Sequence, residues 1–202
     1  MKEIQTITKK VFFLFALTLF FGPLAVPLIQ AQDTKPELPE RKQTALGLYV
    51  TSAEAFHMWS ADPDNVIILD IRTPEEYLFV GHASMAYNVP AFDQSYVWDA
   101  EKQHFPMVPN PDFVKNIKEL FQSDDILLIT CRSGDRSAIA VNELAKAGYT
   151  NAYTITDGVE GGIVNDPESV FDGQRKLNGW KNSGLPYTYK IDPKLMLITS
   201  EK

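Results

Sequence analysis

Two short runs, Val66-Ile-Ile-Leu69 and Ile126-Leu-Leu-Ile-Thr130, constrain the fold more than anything else in the chain. Each is continuously apolar rather than alternating, the pattern of a strand covered on both faces. Each also gives way within a few residues to a helix start. After the first comes Thr73-Pro74-Glu75-Glu76, which supplies an N-cap, a proline at the first helical position and two carboxylates in the first turn. After the second comes a loop beginning at Cys131, then a helix over residues 138–147 that stops at Gly148. Strands buried on both faces need helices on both sides. The alternation therefore predicts an α/β domain, a parallel sheet flanked by helices.

The remaining elements fit that frame. Thr51-Ser-Ala-Glu54 is a capping box opening a helix through Phe56 and Trp59. Residues 87–89 form a short strand ended by Pro90, and residues 151–155 a further strand. Asn110-Pro111-Asp112 starts a helix with Phe113, Ile117, Leu120 and Phe121 on one face. Residues 92–109 have no clean period and carry Phe92, Tyr96, Trp98 and Phe105 between polar residues. They read as a long loop or small subelement laid over the surface. Trp59 and Trp180 are expected in the core, and Trp98 is the aromatic expected to shape a pocket.

Composition sets outer bounds. With 45% hydrophobic and 22% charged residues the chain is neither disordered nor fibrous. Lys9 and Lys10 precede the apolar run 11–21, then a Gly-Pro break and a stretch with Ile29 and Ala31 at the positions a leader cleavage site requires. Residues 1–31 are thus expected to be a signal peptide cleaved after Ala31, with periplasmic export. The alternative, an uncleaved anchor, meets the objection that the unbroken run is 11 residues, against about 20 for a spanning helix. Residues 32–45, rich in Pro and charge, read as a flexible lead-in. Residues 46–190 form one domain, about the size one core supports, and 191–202 a C-terminal tail. The leader carries +2 of the net −7, which leaves −9 on the remainder. No basic stretch is available for phosphates, so nucleic acid is excluded as a partner, and the membrane is met only through the leader. His57, His82 and His104 are widely separated and lack cysteine partners, so neither a metal nor any other cofactor is expected.

Cys131 is the single cysteine and cannot pair within the chain. It is either buried and inert or kept for its reactivity, and its neighbours favour the second. The loop Cys131-Arg132-Ser133-Gly134-Asp135-Arg136-Ser137 joins a buried strand to a helix, where ligands bind in parallel α/β sheets. Its backbone N–H groups and the helix N-terminus make an anion nest. A thiol at the first position faces those dipoles with Arg132 and Arg136 beside it, surroundings that favour the thiolate. Gly134 supplies a turn that a side chain would obstruct.

These residues resemble the rhodanese family. The resemblance rests on Leu69-Asp-Ile-Arg-Thr-Pro-Glu-Glu-Tyr77, Gly81-His82-Ala83, Asn88-Val-Pro90, the Cys131 loop and Gly184-Leu-Pro186. It implies a sulfurtransferase that moves sulfane sulfur from a donor such as thiosulfate to a thiol or cyanide acceptor through a persulfide on Cys131. A protein persulfide is a further partner it allows. Backbone N–H groups from Arg132 to Ser137 would hold the sulfur, Arg132 would face the mouth, and Arg136 would either join it or form an inward ion pair. Asp70 and Arg72 match a family motif read here as structural. Three other readings stay open: a noncatalytic anion- or protein-binding module, a cysteine phosphatase, and a redox sensor whose lone thiol forms mixed disulfides with an external partner. The phosphatase loop is longer than the four-residue spacing between Cys131 and Arg136, which resembles the sulfurtransferase class. The chain departs from the family in carrying Asp157-Gly158 where paired glycines are frequent, and in an apparent insertion at 163–179 that, with 92–109, could cover the entrance.

Overall fold

Five parallel strands form the central sheet, in the order β1 (Tyr49–Val50), β8 (Ala152–Ile155), β7 (Ile126–Thr130), β2 (Val66–Asp70) and β4 (Tyr87–Asn88). The register pairs Ile67 with Leu127 and Asp70 with Thr130. This computed structural model describes residues 38–198, which belong to one compact unit. The expected leader lies outside the described residues. No helix among the described residues is long and apolar enough to cross a membrane.

The two apolar runs behave as their composition requires. Successive side chains of a strand point to opposite faces, so Leu69, Leu127 and Ile129 enter one core while Ile68 and Leu128 enter the other. The first core is closed by α2 (Phe113–Leu120) and α3 (Asp135–Lys146) through Phe113, Ile117, Val141 and Leu144. The second is closed by α1 (Ser52–Ala61) through Ala55, and by Tyr77 and Trp180. Trp180 is fully buried, its indole N–H donating to the Pro186 carbonyl at 2.9 Å. Trp59 is only half-buried, stacked on Phe56 at 6.1 Å. Leu120 is exposed, because Phe121 at the helix C-cap takes the inward place.

Several boundaries differ from expectation. α1 has its full capping box, with Thr51 and Glu54 reciprocally bonded. Thr73 and Glu76 form a second such pair, but the chain there winds into a π-turn, Glu76–Val80, ending at Gly81 with φ +86°. α3 starts three residues before the expected helix, since Gly134 is its N-cap at φ +99°. Asp135, Arg136 and Ser137 therefore belong to a helical first turn.

Residues 92–109 are a β-hairpin, β5 (Phe92–Gln94) against β6 (Met107–Pro109), prolonged by an Asp99–His104 bridge. The Asp99 carboxylate accepts from the Glu101 and Lys102 N–H groups to form its turn. Two smaller ribbons follow: β9 (Gly162–Ile163) with β10 (Arg175–Leu177), and β3 (His82–Ala83) with β11 (Tyr187–Thr188). The lead-in expected to be flexible and the C-terminal tail are both in part anchored. Lys42 donates to the Thr156 carbonyl, the Ala45 N–H to Asn142, and Leu46 packs on the first core. At the other end Met196 bridges Asn88 in parallel, and the Leu197 N–H donates to the Asn88 carbonyl.

Candidate active site

The carboxyl ends of β2, β7 and β8 meet on one side of the sheet, and Cys131 directly follows β7 there. Its backbone is fixed from below. The Val159 N–H donates to the Cys131 carbonyl at 2.8 Å and the Glu160 N–H to that of Arg132 at 2.9 Å. Gly158 permits this approach, because a Cβ there would lie 2.7 Å from the Cys131 and Arg132 carbonyl oxygens. Asp157 holds the turn in place, accepting from the Ser52 N–H and hydroxyl and from the Gly179 N–H at 2.8–2.9 Å. The Asp-Gly pair thus does the work of a tight turn with one glycine and one anchoring carboxylate.

The Cys131 side chain is 1% exposed. Its Sγ accepts a hydrogen bond from the Gly134 N–H at 3.2 Å. The N–H groups of the first turn of α3 have no intrahelical acceptor, so the sulfur sits at the positive end of a helix dipole. Gly134 cannot be replaced without strain. Beyond its positive φ, a Cβ would lie 2.3 Å from the Thr156 carbonyl oxygen.

The two arginines have different fates. Arg132 is exposed at the mouth, and its guanidinium has no hydrogen-bond or ion-pair partner among the described residues. Arg136 turns inward and forms a two-pronged ion pair with Glu76, at 2.6 and 2.7 Å, each side chain 16% exposed. Its Nη1 also touches Met107 Sδ at 2.9 Å. Burial opposes both charges, but pairing prevails: Glu76 is held below the usual carboxylate range and Arg136 above its ordinary value. Of the two roles open to Arg136, the structure shows the ion pair. Asp135 faces outward to Arg41 at 3.1 Å. Ser133 is half-buried at the mouth, while Ser137 is fully buried and its hydroxyl has no partner among the described residues.

Above Cys131 lies a cleft of about 530 Å³. Cys131, Arg132, Ser133, Asp135 and Arg136 line one side, and the hairpin residues Phe92, Gln94, His104, Phe105 and Met107 the other. Trp98 is not among them; it props Phe105 edge-on from outside at 5.2 Å. Nor does the 163–179 ribbon line the cleft, being tied at Gly161 and Gly179, where the backbones nearly touch. Of the two segments expected over the entrance, only the first is there.

Asp70 and Arg72 form a fully buried pair at 2.7 Å, with Arg72 also donating to the Gly81 carbonyl. Asn88 donates to the carbonyls of both. This frame stiffens the end of β2 and does not line the cleft. His82 is stacked on Tyr77 at 3.5 Å with Nδ1 3.0 Å from the Tyr77 carbonyl. Burial keeps it below the ordinary histidine value, as a packing residue. Sequence reasoning missed Glu76, Phe92, Phe105 and Met107 as site residues. For Glu76 the local signal, a capping box, concealed a partner 60 residues away.

The family model described as Rhodanese-like domain matches residues 52–163. Senescence-associated protein DIN1 of Raphanus sativus is 39% identical over 90 residues, 45% of this chain. That alignment spans 44% of the radish protein's own length. Thiosulfate sulfurtransferase 16, chloroplastic, of Arabidopsis thaliana is 37% identical over 118 residues, 58% of this chain and 76% of that protein. Among solved structures, Rv0390 from M. tuberculosis aligns with a TM-score of 0.54 at 27% identity, over 70% of this chain and 97% of that one. With the family model covering more than half of the residues, the chain belongs to the rhodanese-like domain family.

Proposed function

We propose that this domain is a sulfurtransferase that carries sulfane sulfur as a persulfide on Cys131. The observation that carries the reading is the seat of the sulfur: a lone cysteine under an open cleft, bonded to a loop N–H at a helix N-terminus. Such a seat puts a backbone N–H donor on the sulfur and leaves room for a second sulfur beyond it. The sulfurtransferase relative in Arabidopsis supports the same class.

In the proposed cycle Cys131 Sγ attacks the outer sulfur of an anionic donor. With thiosulfate, a new S–S bond forms to Cys131, the donor's S–S bond breaks, and sulfite leaves with its electron pair. The N–H groups at the start of α3 hold the charged outer sulfur, and Arg132 draws the donor to the mouth. An acceptor then attacks the outer sulfur, cyanide giving thiocyanate and a thiol giving a new persulfide, and Cys131 returns as the thiolate. The proposal extends to location: a periplasmic protein with its leader cleaved after Ala31, which the intact mass of protein from a periplasmic extract would test.

The deciding experiment is intact mass of the reduced protein after thiosulfate, then after cyanide. Gain of one sulfur atom, reversed by cyanide and absent in Cys131→Ser, is expected. A Cys131→Ser variant that still turns over would overturn the mechanism. An unmodified thiol with every donor tried would favour a noncatalytic binding module.

A further inference from the structure

We infer that His104, on the hairpin, is the base that takes the proton of a thiol acceptor as it attacks the Cys131 persulfide. The inference rests on the sulfurtransferase reading and adds a catalytic residue to it.

The two halves of the cycle differ in their demand for a base. Thiosulfate enters as an anion and sulfite leaves with its electron pair, so loading Cys131 moves no proton. An ordinary thiol is mostly protonated at neutral pH and must shed its S–H proton to become a nucleophile. Among the residues lining the cleft, His104 is the group free to accept it. It stands on the wall facing Cys131, exposed, its ring without a hydrogen-bond partner among the described residues. The other charged groups of the lining are engaged or inert as bases. Asp135 is paired with Arg41 at 3.1 Å and Arg136 with Glu76 at 2.6 Å, and an arginine such as Arg132 keeps its proton throughout. Imidazole is the side chain that ordinarily gains and loses a proton between about pH 5 and 8.

The hairpin holds this imidazole in place. The Asp99 N–H donates to the His104 carbonyl at 2.9 Å, and the His104 N–H to the Asp99 carbonyl at 3.3 Å. The next residue, Phe105, is fixed by Trp98 at 5.2 Å, and its carbonyl accepts from Gln94 at 3.2 Å. On the hairpin the charges near His104 are Asp99 and Lys102, themselves 3.9 Å apart. The Lys102 N–H above all holds the Asp99 carboxylate below its usual range, and the charge of His104 adds to that. Such a carboxylate favours the imidazolium that forms once the proton is taken. From the opposite wall come Arg132 and the paired Asp135 and Arg136. The cleft of about 530 Å³ between the walls leaves a place for the acceptor.

The step balances without another reactant. An imidazole nitrogen of His104 takes the S–H proton, and the acceptor sulfur forms a bond to the outer sulfur of the persulfide. The bond from that sulfur to Cys131 Sγ breaks, and its electron pair stays on Sγ as the thiolate. The imidazolium then returns its proton to water.

The test uses protein loaded with sulfur from thiosulfate and follows its discharge by two thiols: 2-mercaptoethanol, protonated at neutral pH, and 4-nitrothiophenol, already ionised there. His104→Gln should lower the ratio of the first rate to the second about a hundredfold, the lower end of what a positioned base contributes. In the wild type the 2-mercaptoethanol rate should rise as pH climbs through the imidazole titration and then level off. In His104→Gln it should keep climbing with the thiolate fraction. A variant that slows both thiols alike, or neither, would overturn the assignment and leave the sulfurtransferase reading standing. If no donor leaves sulfur on Cys131, both fail together.

Discussion

Gly134 and Arg132 sit within three residues of the thiol and act in opposite ways, one through backbone geometry and one through an unshared charge. Gly134 lets the chain enter α3 at once, so its N–H reaches Cys131 Sγ at 3.2 Å. Gly134→Ala is expected to destabilise the domain by about 1–2 kcal/mol from the left-handed backbone alone. The 2.3 Å approach of its Cβ to the Thr156 oxygen adds to that, and urea unfolding measures the total. Arg132→Ala should leave the unfolding free energy within about 0.5 kcal/mol of wild type, as for other exposed positions. The same change should raise the apparent KM for an anionic donor several-fold; an unchanged KM would remove its steering role. Both residues were legible from the sequence, because loop glycines and flanking arginines act locally. The role of Arg136 was not, since its partner comes from another segment of the chain.

At the scale of elements, the Glu76–Arg136 pair ties the turn after β2 to the first turn of α3 and touches the hairpin at Met107. Glu76→Gln should cost about 2 kcal/mol, the range for charge-assisted hydrogen bonds. Glu76 is held below the usual carboxylate range, so its contribution is complete above that range. It is lost as pH falls through the depressed value in the folded state. The stability gap between wild type and Glu76→Gln should therefore be full at neutral pH and close in acid. Urea midpoints at the two ends of the range would show it; a gap independent of pH would mean that the charge of Glu76 is not what matters. Strands β2 and β7 were readable because burial on both faces writes a continuous apolar run. The β5–β6 hairpin was not, because Asp93, Gln94, Pro106 and Pro109 break the alternation that marks a strand. Its pairing depends on where its ends are held.

Over the whole molecule, the parallel sheet leaves two edges, and the chain covers one of them with its own C-terminal segment. Met196 and Leu197 lie along β4, bonded to Asn88, and Met196 packs on the second core and Leu197 on the first. Unpaired strand edges invite association. Deleting residues 191–202 is therefore expected to lower stability by about 3 kcal/mol, for the three partly buried apolar side chains Ile191, Met196 and Leu197. It should also produce concentration-dependent dimers or larger species in light scattering; a monomer of unchanged stability would show that the segment only rests on the edge. The sequence reads this segment as a tail because its pairing is too short to set up a strand period, just as 32–45 reads as flexible although Lys42 and Ala45 fasten its end to the body. The hairpin has a different relation to the fold. It leaves the body after Ala91 and returns at Asn110, whose N–H donates to the Ala91 carbonyl at 3.0 Å while its side-chain amide donates to the Pro90 carbonyl at 2.8 Å. The excursion is thus latched at its base, and the sheet, the Cys131 loop and the Asp157 turn are all built outside it. Residues 93–108 form a cassette tied to the loop below through Met107 on Arg136, so a replacement of another length or lining that keeps that contact is expected to re-tailor what the cleft accepts while the chemistry below stays the same.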